Sequence, residues 1–328
     1  MLKVGLIGCG FMGTMHANCY KNIPGVALAA VADVRPEKAT GIAVGTNAEI
    51  YDDGKDLIAR ANVDVIDICL PTYLHAEHAL LAMEKVQYLF IEKPVTLTVA
   101  ESEALLEKSA QTGCRVQVGQ VIRFWDEYVV LRQIIQENRY GKVVNANFRR
   151  ISPSPGWGWN NWLTDVSLSG GAAQDMHIHD IDYVLSVFGE PKALSSIRNK
   201  IGEANSYIST VMNFDDFVVS VEGTWALPVT YPFRASFRVV FENATVENDG
   251  AQFMLYTDEG AQPIQLPKKD IVVQGGTQGN ISDLGGYYNE LVYFAQQAQA
   301  GAPIEQATLK DAATSLRFLL QKEFNANI

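Results

Sequence analysis

Gly8-Cys9-Gly10-Phe11-Met12-Gly13 lies between an apolar, β-branched run, Leu2–Gly8, and a stretch of helix-like spacing, Met12–Asn22. Alone, G-x-G-x-x-G is a weak pattern; between a strand and a helix it confines the chain to few folds. The missing side chains permit a tight turn, close approach of backbone to ligand, and close packing of helix on strand. The helix N-terminus behind such a turn favours an anion, and a pyrophosphate suits it. Asp33 closes the next strand-like run, Ala27–Asp33, at about the 20-residue offset where an acid meets a ribose. Its carboxylate can accept from both ribose hydroxyls and repels a 2′-phosphate, so NAD is the expected cofactor. Arg35, two residues later, leaves NADP possible. Gly8, Gly10, Phe11, Met12, Gly13, Asp33, Val34 and Arg35 are the expected cofactor contacts here, and Cys9 reads as packing.

Strand–helix alternation continues from this turn. Strand-like runs at Val65–Leu70, Tyr88–Glu92 and Arg115–Gly119 interleave with helical spacing at Pro36–Val44, Asp56–Ala61, His75–Met83 and Val99–Thr112. Near-continuous apolar strands separated by helices predict a parallel sheet covered on both faces. After residue 119 the texture changes. A helix at Tyr128–Asn138 and a strand at Val143–Arg150 precede a Trp-, Gly- and Pro-rich loop, Ser152–Asp165. A helical segment, Gln174–Phe188, follows. Strands are then expected at Tyr207–Asn213, Phe217–Trp225, Phe233–Phe241 and Gln252–Tyr256, and helices at Leu284–Ala300 and Leu309–Asn325. The predicted architecture is α/β, with a Rossmann dinucleotide-binding domain over 1–119 and an α+β domain over 120–328.

The formal charge of −11 argues against nucleic acid or an anionic membrane as partner. No apolar run approaches the roughly 20 residues of a membrane span. Cys9, Cys19, Cys69 and Cys114 lack metal-site or disulfide spacing, so reduced thiols, no metal and a cytoplasmic protein are expected.

Ligands of an open parallel sheet bind beyond its carboxyl edge. Glu92-Lys93-Pro94 ends one apolar run there, and Lys93 can polarise a substrate oxygen or join a proton relay. A strand-end lysine can also be a solvated surface residue. Pro94 restricts the adjoining backbone and is a candidate cis site. Leu70, Pro71, Thr72 and His75 end the preceding strand and are expected to wall the cofactor.

These motifs, with "PTYLHAEHALLAME" at 71–84, "EKP" at 92–94, "RF" at 123–124 and "GGAAQDMHIHDID" at 170–182, resemble the Gfo/Idh/MocA oxidoreductases along essentially the whole chain. The resemblance implies a second domain built on a large, mostly antiparallel sheet, which serves a homodimer or homotetramer. It also implies a nicotinamide cofactor and a sugar or cyclitol substrate. Glu92 and Lys93 fall on the EKP motif, and Asp175 and His179 fall on the family's D-x-x-x-H pair. Arg123 falls where the inositol dehydrogenases contact substrate. The loop "PSPGWGWNNWL" at 153–163 departs from those enzymes.

The segment 170–182 by itself allows a metal pair, a catalytic face or plain helix decoration. At about 100° per residue, Asp175, His179 and Asp182 share one helix face, while His177 points roughly opposite and Asp180 lies to the side. His177 and His179 therefore cannot share an ion. The expectation is that His179 takes a hydroxyl proton as general base, its ordinary pKa of about 6.5 being near the useful range. Lys93 then holds the same oxygen, Asp175 orients an adjacent hydroxyl, and Asp182 orients the His179 ring. Gly170 and Gly171 are expected to let backbone approach substrate. Trp157, Trp159 and Asn160, with Trp162 and Asn161, suit a carbohydrate pocket, since indoles stack on C–H faces and amides bond hydroxyls; packing between domains or subunits suits the indoles equally. Tyr231 is placed at a strand start with reach to that pocket. Two other functions remain open: a sugar–sugar oxidoreductase with tightly held cofactor, and a non-catalytic dinucleotide-binding regulator.

Overall fold

A computed structural model describes residues 1–201, 206–266 and 285–321. Two compact units emerge, Met1–Phe124 with Lys269–Thr314, and Trp125–Lys268 with Ser315–Ile328. The expected single cut at 119/120 therefore does not follow the chain's return to the first unit, which apolar spacing near the C-terminus gives no means of detecting.

In the first unit, β1 (Leu2–Ile7), β2 (Val26–Ala32), β3 (Glu49–Tyr51), β4 (Val65–Ile68), β5 (Tyr88–Ile91) and β6 (Arg115–Val118) form one sheet in the order 3-2-1-4-5-6. All five pairings are parallel. This is the Rossmann order, whose crevice lies beyond the carboxyl ends near β1 and β4. Helices α1 (Phe11–Tyr20), α2 (Pro36–Ala43), α3 (Gly54–Arg60), α4 (His75–Ala82) and α5 (Val99–Thr112) supply the crossovers. Helix α5 matches its expected limits because both ends are written in the sequence: Thr98 and Glu101 form a capping box, and Gly113 closes it in the left-handed region. Strand β3 escapes sequence reading because three residues show no periodicity.

The second unit opens with α6 (Asp126–Gln136) and β7 (Val143–Pro153). A short helix α7 (Val166–Ser169), a π turn at Ala173–His177 and α8 (Ile178–Phe188) come next. Strands β8 (Ala193–Lys200), β9 (Ser206–Asn213), β10 (Val218–Leu227), β11 (Arg234–Phe241), β12 (Thr245–Asn248), β13 (Phe253–Thr257) and β14 (Gly260–Pro263) complete an eight-stranded sheet. Its order is 14-13-12-11-7-10-9-8, and β7–β10 is its parallel pair. The large, mostly antiparallel sheet is thus present. Helix α9 (Gly285–Ala300) belongs to the first unit, and the division falls inside α10 (Leu309–Leu320). Leu284 and the end of the expected helix to Asn325 lie outside the described residues.

The π turn and α8 pack on one face of the sheet, over β7 and β10. A buried ion pair pins them: Arg150 Nε and Nη2 reach the Asp180 carboxylate at 2.9 and 3.2 Å. Burial pushes the Asp180 carboxyl up, and Arg150 pulls it partly back. Asp180→Asn keeps the shape but leaves the guanidinium uncompensated, at an expected cost of about 3 kcal/mol in urea denaturation. An unchanged midpoint would remove the pair from the account of this helix.

Candidate functional site

The nucleotide turn is built by clashes that only glycine avoids. Gly8 has φ +93°, and a Cβ on Gly13 would stand 1.8 Å from the Gly8 carbonyl oxygen. A Cβ on Gly10 would meet only the Arg35 guanidinium, at 3.7 Å, so its α-carbon faces open space. No side chain caps α1 at Gly10. Asp33 braces the turn from the end of β2, since Cys9 N–H donates to its Oδ2 at 2.8 Å. These features fit a dinucleotide: an uncapped helix start for the pyrophosphate, open approach at Gly10, and a carboxylate for the ribose.

Arg35 lies on that carboxylate. Its N–H and Nε donate to Asp33 Oδ1 at 2.9 Å each, and Nη2 donates to Oδ2 at 3.0 Å. Sequence spacing places the two residues near one another but does not show this clamp. Val34 is exposed beside them. Cys9 is packing, as expected: burial and the neighbouring Asp33 push its thiol up to about 12.

Beyond β4 and β5, the expected cofactor wall is held by its own polar contacts. Leu70 and Pro71 lead into a 3-10 turn, Thr72–Leu74, in which Thr72 is buried. The His75 ring is fully buried and ties both strand-end segments, Nδ1 lying 2.9 Å from the Pro94 oxygen and Nε2 2.7 Å from the Leu70 oxygen. Lys93 is half-buried and its peptide bond to Pro94 is cis. Glu92 turns inward and accepts the Lys93 backbone N–H at 2.9 Å. Arg123 donates to Asp311 at 3.0 Å from a buried 3-10 turn, Val121–Phe124.

Behind this wall lies a group the sequence reading missed. His16, Asp67 and Cys69 are buried together, with ligand-type atoms within 4.8 Å of one another. An acid inside the apolar run Val65-Ile66-Asp67-Ile68 was the available signal, since a buried carboxylate demands a partner.

In the second unit the segment 170–182 separates by residue. Asp175 is half-buried within the π turn, and His179 is 8% exposed at the start of α8. His177 is fully buried and its Nε2 lies 2.8 Å from Thr210 Oγ1. Burial, helped by Arg198, pushes its ring down to about 3, so it is a neutral packing residue. Asp182 Oδ1 accepts from Ser315 Oγ at 2.8 Å, a partner absent from the helical-wheel expectation. Gly170 and Gly171 lead into the π turn. Both take positive φ, Gly170 as the left-handed cap of α7, where a Cβ would strike the Gln174 side chain at 2.3 Å. Turn geometry and packing account for Gly170.

The tryptophan loop divides as well. Leu163, with Trp162 against it, packs on Ala172, Met176 and Trp225, anchoring the loop to the π turn. Trp157 and Trp159 are 53% and 42% exposed. Asn160 and Asn161 are both left-handed, with φ 51° and 54°. Tyr231 lies in the turn before β11, not at its first residue, with Arg234 at 6.0 Å from its ring centre.

A parallel 3-2-1-4-5-6 sheet with a glycine turn and a strand-end carboxylate defines a dinucleotide-binding Rossmann protein. Residues 2–120 match the oxidoreductase family with an NAD-binding Rossmann fold, and residues 128–247 match the GFO/IDH/MocA C-terminal domain. The chain belongs to the GFO/IDH/MocA family, and NAD is its cofactor. It is similar to myo-inositol 2-dehydrogenase of Thermotoga maritima, 29% identical over 192 residues, which are 58% of this chain and 55% of that protein. It is similar also to inositol 2-dehydrogenase of Rhizobium meliloti, 30% identical over 216 residues, 63% of each chain. The chain thus spans a little over half the length of the curated relatives it matches. A solved levoglucosan dehydrogenase, in complex with NADH and levoglucosan, superposes with TM-score 0.84 at 20% identity, covering 98% of this chain and 96% of that one. That likeness is one of fold. Among the described residues no helix is long and apolar enough to cross a membrane.

Proposed function

We propose that the protein is an NAD-dependent dehydrogenase that oxidises one secondary hydroxyl of a cyclitol or sugar. The NAD-binding turn carries this reading, because the chemistry of that cofactor is hydride transfer. The inositol 2-dehydrogenases among its relatives support a polyol donor. When bound, NAD supplies the acceptor for the hydride leaving the carbinol carbon.

The protein's own groups manage the remaining proton and charge. His179 takes the hydroxyl proton, Lys93 donates a hydrogen bond to the same oxygen as negative charge grows there, and Asp175 accepts from a neighbouring hydroxyl. The half-buried states of Lys93 and Asp175 leave each of them access to solvent and so to a ligand. Trp157, Trp159 and Asn160 offer stacking faces and an amide to a sugar ring, with Arg123 and Tyr231 as further substrate contacts. Ile197, Val211 and Val218 are exposed on the sheet and support a homodimer or homotetramer through it. Four buried, free cysteines suit the reducing cytoplasm.

Arg35 gives NADP a foothold, because its cation offsets the repulsion of Asp33 toward a 2′-phosphate. Arg35→Ala is expected to weaken NADP use by about fivefold and NAD use less; equal losses would remove Arg35 from cofactor choice. The reading as a whole is tested by offering myo-inositol, scyllo-inositol, hexoses and sugar acids with NAD or NADP and following cofactor absorbance. Reduction with at least one polyol is the expected result. A protein that binds NAD and reduces it with none of them is instead a dinucleotide-binding regulator.

A further inference from the structure

His16 lies on α1, just beyond the glycine turn, with a carboxylate at each ring nitrogen. Nδ1 is 2.8 Å from Asp67 Oδ2 on β4, and Nε2 is 3.0 Å from Glu92 Oε1 at the end of β5. Tyr20 donates to the same Asp67 oxygen at 2.9 Å, and Cys69 Sγ stands 3.2 Å from Nδ1. Phe90 and Tyr287 flank the ring, with centroids at 5.3 and 6.4 Å. A neutral imidazole donates from one nitrogen and turns a lone pair toward whatever faces the other. Nδ1 is hydrogen-bonded to Asp67, whereas Nε2 and Glu92 Oε1 stand 3.0 Å apart without hydrogen-bond alignment, so Glu92 meets the ring as a charge contact; two carboxylates this close suit the doubly protonated ring. Burial opposes that charge, but Cys69 and Asp67 outweigh burial and hold the ring well above the ordinary imidazole range.

Glu92 carries this restraint to the strand end. Its Oε2 accepts the Lys93 backbone N–H at 2.9 Å. On its other side stands Gly119, where a Cβ would lie 3.0 Å from the carboxyl carbon. The carboxylate is therefore wedged between the His16 ring, the Lys93 amide and the Gly119 α-carbon. The adjoining backbone is the base from which the Lys93 side chain is aimed.

We propose that His16 is a positioning residue for Lys93: by clamping Glu92 from behind, the imidazolium fixes the backbone that sets the lysine's reach toward the substrate oxygen. This rests on the proposed role of Lys93 in polyol oxidation. It also opposes a metal reading of His16, Asp67 and Cys69, because a ligating imidazole must be neutral on the ligating nitrogen.

Two measurements on the full chain test it without turnover. In the unaltered protein, ¹⁵N-histidine resonances are expected to show both His16 nitrogens still protonated at about pH 7.5, above the ordinary imidazole range; a neutral or zinc-responsive ring overturns the proposal. Second, the acetylation rate of Lys93 is compared with that of exposed Lys38 in His16→Gln and in Gly119→Ala, which presses on the Glu92 carboxylate while the His16 side chain is retained. The ratio is expected to change by about fivefold in both, the scale of one buried hydrogen bond, with Lys38 itself unmoved. A ratio within about twofold of the native value in Gly119→Ala overturns the proposal even where His16→Gln does not fold. A protein that oxidises no polyol fails the functional reading alone; an active dehydrogenase with an unmoved ratio fails this proposal alone.

Discussion

Gly13→Ala is expected to weaken NAD binding by about a hundredfold and to destabilise the first unit, whereas Gly10→Ala weakens binding as much and leaves the fold intact. The two glycines look equivalent in the sequence and differ in what their missing side chains avoid. At Gly13 the added carbon would sit 1.8 Å from the Gly8 oxygen, so the strand–helix packing itself must open. Overpacking of rigid backbone costs about 3 kcal/mol, and the same amount set against binding is about a hundredfold in Kd. At Gly10 the nearest atom is 3.7 Å away, on a flexible arginine, and its φ of −73° suits alanine. A methyl there occupies only the space through which a pyrophosphate approaches. Thermal melting of the free proteins and NADH fluorescence titration separate the cases. A Gly10→Ala protein that binds NADH normally would show that the dinucleotide takes another path.

The second large effect divides His177 and His179, the two histidines of the segment 170–182. His179→Ala is expected to lower kcat by about a thousandfold, the scale of a lost general base, with NAD affinity unchanged. His177→Ala is expected to do the reverse, lowering stability by about 2–4 kcal/mol and leaving chemistry largely intact. His177 fills space against Gly223 and holds Thr210, and its ring is neutral. It also adds a pH signature. The unfolded chain protonates this ring below its ordinary 6.5 while the folded ring resists to about 3, so its contribution is full above 6.5 and declines as pH falls between those values. Stopped-flow cofactor reduction and urea denaturation across that range read the two roles. Loss of turnover in both variants alike would sink the assignment of His179.

Features with a local physical cause were legible in the sequence. The glycine turn, Asp33 and the limits of α5 follow from sterics, a fixed offset and capping, each contained in a short window. Strand β8 was missed because most of Ala193–Lys200 faces solvent and carries no alternation. The π turn at Ala173–His177 breaks the constant angular step assumed for a helix between Asp175 and His179, while His179 and Asp182 keep regular spacing within α8; the bond from Ser315 to Asp182 is a contact that no helical wheel reports. The clamp of Arg35 on Asp33 and the network around His16 depend on side-chain aim and on contacts across 51 positions between His16 and Asp67. No periodicity reports such pairs, although the acid within β4 hints that a partner exists.

The central claim is that a carbinol carbon of a polyol gives its hydride to NAD. Carbon-deuterated inositols and hexoses, incubated with the protein and unlabelled NAD, test this by the mass of the recovered cofactor. The account predicts that at least one of them yields reduced cofactor carrying one deuterium, and that His179→Ala removes that label while still binding NAD. Cofactor that stays oxidised and unlabelled with every polyol, in a protein shown to bind it, would contradict the claim.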